Sequence, residues 1–235
     1  MLAQTAQSLK KELRKYASTQ RKEVSLRFFK TGKGQYGEGD QFIGVTVPDT
    51  RKLARLFKAM SFTELSKLVS SKIHEERLAA LLILVDRYSK SDEDIQEKVF
   101  LFYLKHIRFV NNWDLVDLSA REIIGAHLLE RDKKLLYKYA KSKDLWERRI
   151  AIVSSYAFIR EKRFEDTLRI SKMLLADKHD LIHKAVGWML REVGKRDERT
   201  LEAFLKTHAQ KMPRTALRYA IERFPEAKRL RYLRA

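Results

Sequence analysis

The chain has 235 residues, of which 44% are hydrophobic, 8 are glycine and 3 are proline. This composition is sufficient for a sizeable buried core and excludes a low-complexity or disordered chain. The absence of cysteine excludes a disulfide scaffold, a thiolate zinc site, an iron–sulfur cluster and a cysteine nucleophile. No stretch approaches the roughly 18 to 20 continuous apolar residues of a membrane span, and the N-terminus lacks the apolar segment of a signal peptide. We therefore expect a soluble, cytoplasmic protein.

The net charge is strongly positive: 50 Lys and Arg residues face 31 Asp and Glu residues, which gives +19 at pH 7. The excess lies before residue 61 and after residue 98, whereas the residues between are slightly acidic. Such a bias favours a polyanionic partner, with nucleic acid as the default. Acidic membrane surfaces and acidic proteins stay open as alternatives on charge alone.

The predicted elements are helical almost throughout. After an N-terminal helix, residues 31–44 hold five of the eight glycines and predict a loop, which Pro48 ends by opening a helix that runs to Met60. Further helices are predicted where apolar residues recur at spacings of three and four. These residues are Leu78, Leu81, Leu82 and Val85; Val116, Ala120, Ile123 and Ile124; and Leu217, Ala220, Ile221 and Phe224.

A weak internal repeat groups these helices. A basic residue followed two positions later by alanine opens several of them, at Arg77, Arg149, His183 and Arg214. A period in the mid-thirties is typical of a HEAT-like α-solenoid, in which stacked helix pairs share one core. We therefore predict an all-α fold, a HEAT-like α-solenoid of antiparallel helix pairs with a concave basic face, as a single domain over residues 1–235. The alternative is chance, because any helical chain this rich in charge yields some such alignment.

The tryptophans lie near charged residues on these helices. Trp113 takes the place of the repeated basic residue, and Asp117 follows one helical turn later. Simpler explanations stay open: Asp114 complements the helix dipole, Asp117 pairs with Arg121, and the tryptophans belong to the core. Two further sets share a face by their spacing, Trp146 with Arg149, and Lys184 with Trp188 and Arg191.

Other motifs argue against cofactors. His179 and His183 are four residues apart, but no third ligand accompanies them, so no metal site is expected. The glycine-rich segment lacks the order of a phosphate loop and no nucleophile elbow is present, so no nucleotide cofactor or serine nucleophile is expected.

The segments "FFKTGKGQYGEGDQFIGVTVPDTRKLAR", "NNWDLVD", "LWERRIAI" and "KAVGWMLRE", in this order, resemble the AlkD-type DNA alkylation repair glycosylases over roughly residues 10–225. The resemblance implies a HEAT-like fold and a monofunctional glycosylase without cofactors. Such an enzyme removes positively charged N3-methyladenine and N7-methylguanine from duplex DNA and needs no deep base pocket. We also expect a monomeric, nucleoid-associated protein that does not act at a membrane.

Carried over by motif, the resemblance implies that Asp117 is the catalytic carboxylate and that Trp113 and Trp188 face the sugar. It implies that Arg149, the arginine of the "WxxR" motif, is a further catalytic residue, which holds a backbone phosphate and partly fixes Asp117. Phe28 stands where the best-known branch of the family has a tyrosine, and the loop 31–44 is longer than in that branch. The candidate DNA-binding residues are Lys184, Arg191, Arg148, Arg77, Arg214 and Lys33. The alternatives are a non-catalytic DNA-binding protein for damaged or branched DNA and a HEAT-type scaffold for an acidic protein.

Overall fold

The computed structural model describes residues 3–234, and within them the regular structure is helical. The one β contact among these residues is an isolated parallel bridge between Gln41 and Ile73. The chain divides into two compact units, Met1–Ser119 and Ala120–Ala235, called here the first and the second unit. The prediction of an all-α fold is confirmed, whereas the single domain over residues 1–235 stays a prediction.

The first unit contains seven α-helices among its described residues, and turns and loops connect them. They are α1 (Ala6–Arg14), α2 (Thr19–Phe28), α3 (Val47–Leu56), α4 (Phe62–Val69), α5 (His74–Lys90), α6 (Glu93–Lys105) and α7 (Trp113–Ser119), with a 3₁₀ turn at Ile107–Phe109. The helix α5 lies at the centre and packs against α3, α4, α6 and α7. Its apolar face is buried as the spacing predicts at Leu78, Leu81 and Leu82.

The second unit opens with a π-helical turn at Arg121–Gly125. Its α-helices, within the described part of the chain, are α8 (Ala126–Leu128), α9 (Lys134–Ala140), α10 (Leu145–Ser154), α11 (Tyr156–Arg160), α12 (Glu165–Leu174), α13 (Asp180–Gly194), α14 (Glu198–His208), α15 (Arg214–Ala220) and α16 (Glu226–Arg234). Consecutive helices pack against each other, α9 with α10, α12 with α13 and α13 with α14. This pairing is consistent with the predicted HEAT-like fold, whereas the concave basic face stays a prediction.

Local sequence signals explain where the helices begin. The side chain of Thr46 accepts the N–H of Asp49 at 3.2 Å, and Pro48 occupies the first turn of α3. The prediction that Pro48 opens a helix is therefore confirmed, although α3 ends at Leu56 rather than at Met60. None of the helices that the structure describes combines the length and the apolar character that crossing a bilayer would take.

Candidate functional site

The helix α7 carries two of the predicted site residues, Trp113 and Asp117, one turn apart and both half-buried. Its other side faces the core of the first unit, since Leu115 and Val116 are buried. Ser119 anchors the end of the helix through a 2.9 Å hydrogen bond with the hydroxyl of Tyr103. The alternation of buried and half-buried positions therefore leaves the tryptophan and the carboxylate on the accessible side of α7.

An aromatic cluster surrounds Trp113. Phe29 stacks on the indole with ring centroids 5.4 Å apart, and Phe28 meets it edge-on at 5.7 Å. Phe42 in turn stacks on Phe29, with the two ring centroids 5.0 Å apart. Phe28 belongs to α2, and Phe42 belongs to the predicted loop 31–44. The loop therefore helps to hold the indole in place.

A buried polar network fixes the start of α7. The imidazole of His74 contacts Asp40 through Nδ1 at 3.2 Å and Asp114 through Nε2 at 2.7 Å. Asp40 also accepts a hydrogen bond from Asn112 Nδ2 at 3.0 Å, and Asn112 Oδ1 accepts the backbone N–H of Trp113 at 2.8 Å. The network thus connects the loop, the first turn of α5 and the first residue of α7.

The electrostatics of the network favour its charged form. Burial alone would lower the pKa of His74, but the charge and hydrogen bond of Asp114 and the hydrogen bond of Asp40 raise it above its usual value. Burial alone would raise the pKa of Asp40, but the hydrogen bond of His74 and the charge of Arg77 hold it below its usual value. The partners thus offset the cost of burial, and both shifts favour the charged forms of His74 and Asp40.

Arg77 belongs to this network. Its side chain is only 3% exposed, and its Nη2 lies 2.6 Å from Asp40 Oδ1 while Nη1 donates to the carbonyl of Ser71 at 2.9 Å. DNA binding by Arg77 stays a prediction, and the burial of this part of α5 weighs against it.

Arg149 on α10 is also buried, with 5% of its surface exposed. Its Nη1 donates a hydrogen bond to the carbonyl of Leu181 in the first turn of α13. Trp188 lies half-buried two turns further along α13, with its ring 6.2 Å from that of Tyr156. Within the second unit, the structure thus connects Arg149 to the helix that carries Trp188.

Four of the five remaining candidate cations have acidic or carbonyl partners. Arg148 pairs with Asp177 at 2.5 Å and donates to two backbone carbonyls. Lys184 pairs with Asp180 at 2.7 Å, and Arg191 pairs with Glu222. Arg214, which is exposed, donates to the carbonyl of Leu233 at 2.7 Å, and Lys33 lies exposed in the loop. For these residues, DNA binding stays a prediction.

The simpler explanation of Asp114, that it complements the start of the helix, accounts for part of its contacts, whereas the pairing of Asp117 with Arg121 stays an alternative. Asp114 accepts the N–H of Leu115 at 2.8 Å in the first turn of α7, as expected near a helix N-terminus, but it also binds His74. Arg121 contacts Glu122 at 2.9 Å and its guanidinium lies over the ring of Tyr156. No cluster of three or more potential metal ligands occurs among residues 3–234.

The family model described as "DNA alkylation repair enzyme" matches residues 9–224. The chain belongs to this family. Among solved structures, a predicted DNA alkylation repair enzyme from Enterococcus faecalis superposes with a TM-score of 0.69 at 15% identity, over 89% of this chain and 97% of that one. Identity this low shows a shared fold alone. The search of curated proteins found no match.

The network around α7 is the part of this DNA alkylation repair protein that sequence reasoning missed. Asp40, His74, Glu75 and Asn112 were not candidates, because their contacts with one another, with Asp114 and with the loop join residues 30 to 72 positions apart. Glu75 closes the loop by accepting the N–H groups of residues 43–45 at 2.8–3.2 Å. The signal that was available is the run of His and Glu at residues 74–76, where a buried helix begins without a side-chain cap.

Proposed function

We propose that this member of the DNA alkylation repair family is a monofunctional DNA glycosylase. It hydrolyses the N-glycosidic bond of positively charged N3- and N7-alkylated purines in duplex DNA and leaves an abasic site. The observation that carries this proposal is the placement of Asp117 one turn after Trp113, both half-buried, on a helix whose start is fixed by the buried network. A carboxylate and an indole held together in this way suit a cationic sugar.

The reaction needs an anion beside the sugar more than it needs a general acid. An alkylated purine already carries a positive charge and departs as a neutral base, so the charge that develops in the transition state lies on the deoxyribose. The carboxylate of Asp117 stabilises that oxocarbenium-like charge and orients the attacking water, as carboxylates do in glycoside hydrolysis. The faces of Trp113 and Trp188 pack against the sugar and favour its cationic character. This chemistry requires no metal or nucleotide cofactor and no deep base pocket.

The basic residues of the second unit have two different tasks in this proposal. Lys184, Arg191, Arg148 and Arg214 exchange their present acidic or carbonyl partners for backbone phosphates, which makes binding dependent on salt concentration. Arg149 is too deeply buried to act as a surface contact alone. It supports the site by holding the N-terminal turn of α13. The same helix carries Lys184 and Trp188. The proposed partner is duplex DNA and the proposed active form is a monomer.

Mass spectrometry of the base released from N7-methylguanine duplex DNA tests the proposal. Asp117→Asn should slow release under single-turnover conditions by at least about 100-fold, because it removes the anion that the transition state requires. Asp94→Asn, which changes an exposed carboxylate on α6, is the matched control and should keep the wild-type rate.

Two results would contradict the proposal. A near wild-type rate for Asp117→Asn removes the assigned role of the carboxylate. Tight binding of alkylated DNA by the wild-type protein without any released base favours a non-catalytic DNA-binding protein instead.

A further inference from the structure

Three arginines surround one tyrosine ring in the second unit. The guanidinium carbons of Arg121, Arg160 and Arg196 lie over the ring of Tyr156, at 5.1, 5.7 and 5.6 Å from its centroid. Arg121 begins the π-helical turn, Arg160 ends α11 and Arg196 follows α13. We call these four residues the Tyr156 cluster. Because like charges repel, a fold gathers three guanidiniums in one place only at a cost in free energy.

The carboxylates that these cations contact do not neutralise them. Glu122 lies 2.9 Å from Nε of Arg121 and 3.3 Å from Nη2 of Arg160, so one carboxylate serves two arginines. Glu192 is also shared, between Arg196 at 3.1 Å and the lysine that precedes this arginine at 2.6 Å. Four cations therefore share two carboxylates. The remaining positive charge favours an anion as the ligand of the cluster.

The arginines of the cluster can reach a ligand, because their side chains are 25 to 41% exposed. A guanidinium that lies over an aromatic ring keeps its N–H groups at its edge, and this planar fork matches the oxygens of a phosphate. The Tyr156 cluster therefore offers a phosphate several N–H donors in one place, in addition to those that contact Glu122 and Glu192.

The cluster lies beside a tryptophan that the proposed function assigns to the sugar. The ring of Trp188 is 6.2 Å from that of Tyr156, within the same unit. Phosphates follow one another along a DNA strand at intervals of about 3.4 Å along the helix axis. A strand whose deoxyribose packs on Trp188 therefore brings a neighbouring phosphate within reach of the cluster.

We propose that the Tyr156 cluster binds a backbone phosphate that adjoins the deoxyribose facing Trp188. This inference rests on the proposed function and adds Arg121, Arg160 and Arg196, which are not among the candidate DNA-binding residues. The guanidiniums donate to the phosphate oxygens while the ring of Tyr156 covers one face of each. The phosphate supplies the negative charge that the cluster lacks, and the contact keeps the sugar against the indole.

Fluorescence anisotropy tests the cluster without any need for catalysis, on a duplex that carries a tetrahydrofuran analogue of an abasic site. Arg160→Gln and Arg196→Gln should each weaken binding by about tenfold. The slope of the logarithm of affinity against that of salt concentration should become shallower by about 1. Arg163→Gln is the matched control and should bind like the wild type, because Arg163 is an exposed arginine of the same unit that pairs with Glu130.

Neutral methylphosphonates, placed at one phosphate per duplex around the analogue, identify the contact. At one position next to the analogue, the neutral group should weaken binding by the wild type about tenfold but should barely change binding by Arg160→Gln, which has already lost the contact. If the arginine only stabilises the fold, the two changes add at every position. That additive result overturns the proposal, and so does wild-type affinity for both Arg160→Gln and Arg196→Gln.

Base release from N7-methylguanine DNA by the wild-type protein separates this proposal from the proposed function. Released base together with additive effects at every position overturns the phosphate contact and leaves the glycosylase intact. A phosphate contact at the cluster without released base supports the cluster and contradicts the glycosylase.

Discussion

Two helices that carry a site tryptophan are held in place by different forces. In the first unit, α7 is fixed by the buried ionic network that joins Asp40, His74 and Asp114 to its first residues. In the second unit, α13 is fixed by close packing, because Gly187, directly before Trp188, lies against α15 with no room for a side chain. The stability of α7 should therefore depend on pH, and that of α13 on side-chain volume at the position of Gly187.

The largest effect on the stability of the first helix is expected for His74→Gln. Removal of the imidazolium leaves two carboxylates without their shared partner, which should lower the free energy of unfolding by about 3 kcal/mol below pH 6.5. Since the pKa of His74 is raised in the folded state, this contribution is complete below the unfolded pKa and is lost as the pH rises through the folded one. Urea unfolding of both proteins between pH 5 and 9 checks this.

His106→Gln is the control for His74→Gln. The ring of His106 is similarly buried but bonds to the hydroxyl of Ser66 and the carbonyl of Phe102. The variant His106→Gln measures the free energy of unfolding that is lost when a buried imidazole is removed from neutral partners. An equal loss of stability in the two variants at every pH would show that the carboxylates of the network contribute nothing special.

Gly187→Ala should have the next largest effect, on the second helix. A Cβ at this position would lie 2.5 Å from the carbonyl oxygen of Ala216 and 2.5 Å from Cβ of Tyr219, so α15 has to move. We expect a loss of about 2 kcal/mol, even though alanine favours a helix over glycine by about 1 kcal/mol. Thermal unfolding compared with Gly194→Ala checks this, because the obstacle there is the flexible side chain of Leu201. Stabilisation by Gly187→Ala would contradict the close packing.

The sequence predicts elements whose signals are local and fails where the partners are distant. The helix after Pro48 and the apolar face of α5 follow from caps and spacing alone. The network of Asp40, His74 and Asp114 does not, because no periodicity connects a loop, a helix start and a third helix. Arg77 follows the repeat, but residues 74–84 of α5 are all buried, so the pattern does not tell which side chains reach the surface.

Spacing singles out Trp113 and Asp117 and the resemblance assigns their roles, and the structure adds the reason for their position. Sequence spacing places the two residues on one face of a helix, but it says nothing about what fixes that helix. The aromatic cluster of Phe28, Phe29 and Phe42 supplies part of the answer, since it comes from residues 71 to 85 positions earlier in the chain. Long-range packing of this kind is set by the whole unit and leaves no local pattern.

The smallest expected effect concerns an exposed ion pair on α13, between Asp180 and Lys184. The hydrogen bond and charge of Lys184 hold the pKa of Asp180 below its usual value, so the pair stabilises the protein above the unfolded pKa of about 3.9 and loses this as the pH falls. The pair is exposed, so Asp180→Asn should cost about 0.5 kcal/mol or less at pH 7. If Lys184 binds a phosphate, the same change should raise DNA affinity several-fold, because the competing carboxylate is gone.

Fluorescence anisotropy with duplex DNA at several salt concentrations measures this effect. The gain in affinity from Asp180→Asn should shrink as salt rises, since screening weakens both the ion pair and the phosphate contact. Glu198→Gln is the control, because it removes a carboxylate partner of Lys228 in the same unit, and Lys228 is not one of the proposed DNA contacts. An unchanged or lower affinity for Asp180→Asn would mean that Lys184 stabilises the helix rather than binding DNA, and would leave Trp188 and Arg191 as the residues that α13 contributes to the proposed site.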